Sequence, residues 1–125
     1  MLKRVLIIED DPEIRACIAE GLSYDGYTVA EAQNGLEGLR QARAHRPDLI
    51  LLDLMMPTMN GWQFRAVQKR DPALADIPVI VISAVAAESA GTIADVAARF
   101  AKPFEFSTLL AAIEQYAGVA TAPTY

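Results

Sequence analysis

Short, unbroken apolar runs alternating with helical patterns limit this chain more than any other feature. KRVLII (3–8), DLILLD (48–53) and VIVIS (79–83) are too short for helices. They are also too continuously apolar for strands with one wet face. TVAEA (28–32) is a weaker strand and RFA (99–101) a short fifth. Between them lie amphipathic segments. In DPEIRACIAEGL (11–22), Asp11 is placed to cap a helix and Pro12 to occupy its first turn, where a missing N–H costs nothing. Ile14, Ile18 and Leu22 form its apolar stripe, and Cys17 beside them reads as core. NGLEGLRQARA (34–44) gives a second helix with Leu36 and Leu39 facing in. Asn60 or Gly61 opens a third, with Phe64 and Val67 as core. IADVAA (93–98) reads as a fourth, Ala-rich helix. STLLAAIEQYAG (107–118) reads as the last, with Ser107 as its N-cap. Five β-α units of this kind imply an α/β fold, a parallel sheet with helices on both faces.

The expected domain is 1–118, with 119–125 as a frayed tail. At 125 residues the chain has the size of one domain. No apolar run reaches the roughly 18 residues of a membrane span, and MLKRVLII lacks a signal-peptide cleavage site. Membrane insertion is therefore not expected. Cys17 is the only cysteine, which rules out an internal disulfide and fits the reducing cytoplasm. The net charge of −5, with no basic run, argues against direct nucleic-acid binding.

The apolar run VLII ends abruptly in Glu9, Asp10 and Asp11. Neighbouring carboxylates repel, so they face water, cap a helix or surround a positive charge. In a doubly wound sheet, ligands bind beyond the carboxyl ends of the strands. Glu9 and Asp10 end the first strand, Asp53 the third and Ser83 the fourth, and Lys102 follows the fifth. Taken singly, Ser83 reads as a cap and Lys102 as a solvated loop charge. Their joint placement at one sheet edge points to a site. Clustered carboxylates make a hard, oxygen-only site suited to Mg²⁺ or Mn²⁺. One carboxylate can then attack phosphorus and become an acyl phosphate.

Other chemistries lack their residues. EDDPEI carries no glycine for a dinucleotide loop, and no P-loop is present. An Asp-x-Asp phosphatase motif fails at Met55. His45, the only histidine, precedes the third strand and reads as a solvated residue at a helix end.

On VLIIEDDPEIR, PDLILLDLMMPTMNGWQF, VIVISA and KPF, the sequence resembles the receiver (phosphoacceptor) domain of two-component response regulators across residues 2–117. The resemblance implies a flavodoxin-like fold with strand order 2-1-3-4-5. It assigns Glu9 and Asp10, with Asp53, to a divalent metal, Mg²⁺ or Mn²⁺, and Asp53 to phosphorylation. It assigns the Met55 backbone carbonyl to the metal shell, Ser83 to the phosphoryl contact and Lys102 to ion pairing. Gly61 matches the family's glycine at the start of the third helix. The implied donor is a phosphohistidine on a sensor histidine kinase or histidine phosphotransfer protein, and the implied output is a downstream protein contact. Such a domain catalyses its own phosphorylation and slow dephosphorylation but turns over no external substrate. A phosphorylation-independent interaction or oligomerisation module is the alternative.

Two departures from the family pattern stand out. Arg99 occupies the place of the usual aromatic switch, three residues before Lys102. Phe100 is one place along, hence on the opposite strand face, and is expected as buried packing. The segment 83–102 is short by about one turn, so a short or mobile fourth helix is expected. Met55 and Val85, two residues beyond Asp53 and Ser83, cannot orient a water by hydrogen bonding, which predicts slow self-dephosphorylation.

Overall fold

The computed structural model describes residues 3–84, 93 and 95–119. Five strands, β1 (Arg4–Ile8), β2 (Thr28–Ala32), β3 (Leu49–Asp53), β4 (Val79–Ser83) and β5 (Ala98–Ala101), form one sheet in the order β2-β1-β3-β4-β5. All four pairings are parallel. The described helices are α1 (Pro12–Tyr24), α2 (Gly35–Ala44), α3 (Gly61–Arg70) and α4 (Phe106–Ala117).

The continuous apolar strands are buried on both faces, as their composition requires. On one face Val5, Ile7, Leu49, Leu51, Ile80 and Ile82 meet α1 and α4 through Ile18, Leu22, Leu109 and Ile113. On the other, Leu6, Ile8, Ile50, Leu52, Val79 and Val81 meet α2 and α3 through Leu39, Ala42 and Phe64. Each fully buried aliphatic side chain of this kind contributes roughly 1.5–3 kcal/mol. Register follows from this alternation: Ile8 lies between Ala32 and Leu52, and Ser83 beside Ala101.

Helix starts follow local chemistry. Asp11 caps α1 through its Oδ1, which accepts from the backbone N–H groups of Glu13 at 2.9 Å and Ile14 at 3.3 Å. Asn60 and Gln63 form a reciprocal capping box on α3, with bonds of 2.9 and 3.0 Å. Within α3, buried Arg65 donates to Gln68 Oε1, and Gln68 Nε2 donates to the Leu74 and Ile77 carbonyls. This polar pair, unforeseen from sequence, ties α3 to the connector before β4.

Several expectations need correction. Leu36 is exposed, because the inward stripe of α2 is Gly35, Gly38, Leu39 and Ala42, about 100° round the helix. Gly38 brings α2 so near β1 that a Cβ there would lie 2.5 Å from Ile8 Cδ1. Cys17 is exposed rather than core, one residue out of phase with Ile18. α1 continues to Tyr24 before Gly26, at φ 96°, turns the chain. The N-cap of α4 is Glu105, without a side-chain bond, and Ser107 already lies in the first turn. That helix starts where the Phe106 ring packs over Gly21, at which a Cβ would meet the ring at 2.6 Å. The helix expected at 93–98 is absent among the described residues. Asp95 has φ 60°, the Ala97 N–H donates to the Val79 carbonyl at 2.8 Å, and Ala98 already begins β5. Residues 85–92 and 94, which carry the rest of the expected short fourth helix, lie outside the described residues.

Candidate functional site

The strand ends converge. Glu9 leaves β1 with its N–H bonded to the Ala32 carbonyl at 3.0 Å, and Lys102 leaves β5 with its N–H bonded to the Ser83 carbonyl at 2.9 Å. These main-chain bonds extend the sheet by one residue at each end and aim both side chains over the β3 terminus. Glu9 and Asp53 are buried, at 0% and 2% exposure, whereas Asp10 is open to solvent. One carboxylate oxygen from each of Glu9, Asp10 and Asp53 lies within 4.8 Å of the other two. Lys102 Nζ sits 2.7 Å from Glu9 Oε2 and 3.6 Å from Asp53 Oδ2. Buried Ser83 closes the edge at the end of β4.

Each acid is held by its surroundings. Glu9 Oε1 accepts from the Asp11 N–H at 3.1 Å, and Asp53 Oδ1 from the Met55 N–H at 3.3 Å. Arg15, passed over in the sequence reading, donates to the Glu9 carbonyl at 2.7 Å and pairs with Glu31 at 3.3 Å. Its only sequence signal is its place one turn after the Asp11 cap. Beneath the site Gly61 lets α3 approach β3: a Cβ there would lie 2.6 Å from the Asp53 carbonyl oxygen.

The electrostatics answer the repulsion seen in the sequence. Burial, and next the neighbouring Glu9 charge, push the Asp53 carboxyl up to about 7 from its ordinary 3.8, while Lys102 and the Met55 N–H pull the other way. Burial works against the Lys102 ammonium, but its bonds and charge contacts with Glu9 and Asp53 outweigh that, so its pKa is raised. An oxygen-only cluster of three acids, one reachable from solvent, fits a hard divalent cation. The Met55 side chain is 56% exposed.

Arg99 stands where the family pattern has an aromatic. Arg99 is exposed and donates to the Ile93 carbonyl. Phe100 is half-buried against the α1/α4 core rather than fully enclosed.

The family model for the response regulator receiver domain matches residues 5–114. The chain belongs to this family. It is a receiver domain of two-component response regulators. The receiver is 36% identical over 120 residues to the DNA-binding dual master transcriptional regulator RpaA of Synechocystis, covering 90% of this chain and 48% of that protein. It therefore spans about half the length of the first curated relatives it matches. Over 86 residues it is 40% identical to the polar-differentiation response regulator DivK of Brucella anthropi, covering 69% of this chain and 70% of that one. Among solved structures, chemotaxis response regulator CheY4 of Vibrio cholerae superposes with a TM-score of 0.84 at 27% identity, covering 93% and 99% of the two chains. Response regulator TrrA of Thermotoga maritima, solved in complex with Mg²⁺ and BeF, gives 0.78 at 26% identity, covering 92% and 99%. Among the described residues, no helix is long and apolar enough to cross a membrane.

Proposed function

We propose that Asp53 accepts a phosphoryl group from a phosphohistidine of a sensor kinase or phosphotransfer protein, in a reaction that requires Mg²⁺. The observation that carries this reading is the lysine shared between two buried acids, Lys102 Nζ at 2.7 Å from Glu9 and 3.6 Å from Asp53. In the transfer, an Asp53 oxygen attacks phosphorus, the phosphorus–nitrogen bond breaks and imidazole leaves. Lys102 supplies positive charge to the oxygens of the transferring group. The Met55 N–H on Oδ1 fixes the carboxylate, leaving Oδ2, on the Lys102 side, as the natural attacking atom. Ser83, buried at the end of β4, would donate its hydroxyl to a phosphoryl oxygen once the phosphate is in place. Glu9, Asp10, Asp53 and the Met55 carbonyl would hold Mg²⁺, with Mn²⁺ as a substitute. When bound, the cation would supply positive charge that favours the ionised form of Asp53 at neutral pH. The complex of the Thermotoga relative with Mg²⁺ supports this assignment.

The domain turns over no external substrate. It works in the cytoplasm on its own Asp53 and signals through contacts with a downstream protein. A hollow of about 320 Å³ beside Lys102, lined by Ile14, Cys17, Ile18, Phe104 and Phe106, offers the donor protein an apolar foothold. The net charge of −5 supports a domain that makes no nucleic-acid contact of its own. Arg99 in place of an aromatic favours, as second reading, a receiver-like interaction module that works without phosphate.

Incubation with Mg²⁺ and a small phosphodonor, followed by intact mass measurement, separates the two. The phosphoacceptor reading expects one added phosphoryl group that is lost in D53N and in chelator. No gain, or a gain that survives D53N, refutes it.

A further inference from the structure

We infer that Met55 is an oxidation site through which peroxide sets the lifetime of the Asp53 phosphate; this rests on the phosphoacceptor reading. Three methionines lie among the described residues, and their surroundings differ. Met56 and Met59 are half-buried and pack into the α2/α3 core. Met55 is 56% exposed. Its backbone, however, is fastened to the reacting acid, because its N–H donates to Asp53 Oδ1 at 3.3 Å. Among the described residues, the thioether most open to solvent thus stands two residues from the phosphoacceptor.

The chemistry balances with a peroxide as oxidant. The sulfur attacks the distal peroxide oxygen, the O–O bond breaks, and the thioether becomes a sulfoxide while hydrogen peroxide is reduced to water. The product is polar where the thioether was not. A thioether is a weak acceptor and cannot hold a water in line with phosphorus. A sulfoxide oxygen accepts a strong hydrogen bond and can orient that water. One added hydrogen bond of ordinary strength, felt only in the transition state, shortens the acyl-phosphate lifetime about threefold to tenfold. The lesion is reversible by reduction, so the effect resets.

The test oxidises the protein with limiting hydrogen peroxide and maps the sulfoxides by peptide mass. Oxidised and untreated protein are then phosphorylated with a small donor, and decay of the phosphate is followed after the donor is removed. Met55 is expected to oxidise ahead of Met56 and Met59, with the lifetime falling about threefold to tenfold. In Met55→Leu, which keeps Met56 and Met59, the ratio of treated to untreated lifetimes is expected to be one. Equal oxidation of all three, an unchanged lifetime, or an effect that persists in Met55→Leu overturns the inference. Failure of untreated protein to take up phosphate overturns the phosphoacceptor reading and this inference with it. Normal uptake with an unchanged lifetime overturns this inference alone.

Discussion

Replacing Asp53 with Asn removes the phosphoacceptor yet should make the metal-free fold more stable at neutral pH. The folded protein keeps a proton on Asp53 up to about pH 7, whereas an ordinary carboxyl releases it near 3.8. Between those values the folded state binds more protons than the unfolded chain, so stability falls as pH rises. One pKa unit corresponds to about 1.36 kcal/mol, which puts the ceiling for this climb at ~4 kcal/mol. Solvent at the Asp10 side of the cleft screens the site and brings the expected net to about 2 kcal/mol. Asn keeps the acceptor for the Met55 N–H and leaves Lys102 its bond of 2.7 Å to Glu9, so it abolishes the charge with little change of shape. Urea unfolding in chelator between pH 4 and 8 measures the difference. D53N and wild type should nearly coincide at pH 4 and diverge up to pH 7, with equal m values. Saturating Mg²⁺ should narrow the gap, since it binds the ionised wild-type site. A pH-independent gap, or a D53N protein less stable than wild type at pH 7, would refute the account of Asp53 as a strained acid.

Lys102→Met leaves Glu9 and Asp53 facing each other without a cation. Initial phosphorylation rates with a small donor should drop roughly a hundredfold, the scale for losing one charge-stabilising group, and a drop below about threefold would count against its role. Gly61→Ala places a methyl group 2.6 Å from the Asp53 carbonyl and 2.7 Å from Leu54 Cα, both backbone atoms that cannot rotate away. Overpacking of about 1–3 kcal/mol, less an entropic gain of about 0.4–1 kcal/mol, predicts a net loss of ~1–2 kcal/mol in urea unfolding. Asn60→Ala removes the capping box of α3 and should cost about 1 kcal/mol by the same assay.

The strands and the site were legible because both depend on where apolar runs stop. VIVIS and TVAEA are strands at their expected limits, and the polar residues at the strand ends meet where parallel topology sends them. Helix faces were less legible, because one residue of phase error rotates a side chain by about 100°. Leu36 and Cys17 failed in that way: Gly38 and Ala42 carry the contact that larger neighbours were expected to make. Arg65 and Gln68 hid for another reason. Long polar side chains read as solvated until their acceptors are seen, here the Asp95 carbonyl for Arg65 and the Leu74 and Ile77 carbonyls for Gln68. The segment before β5 misled because alanine-rich composition favours helix locally, while pairing of Ala98 with Ile80 claims it for the sheet.

The absent side chain at Gly61 has a mechanical meaning. With the first residue of α3 seated directly on the main chain of Asp53, acid and helix form a single lever with no slack between them. Any load on the carboxylate is delivered to the α3 axis, and anything that grips that helix pushes back on the acid.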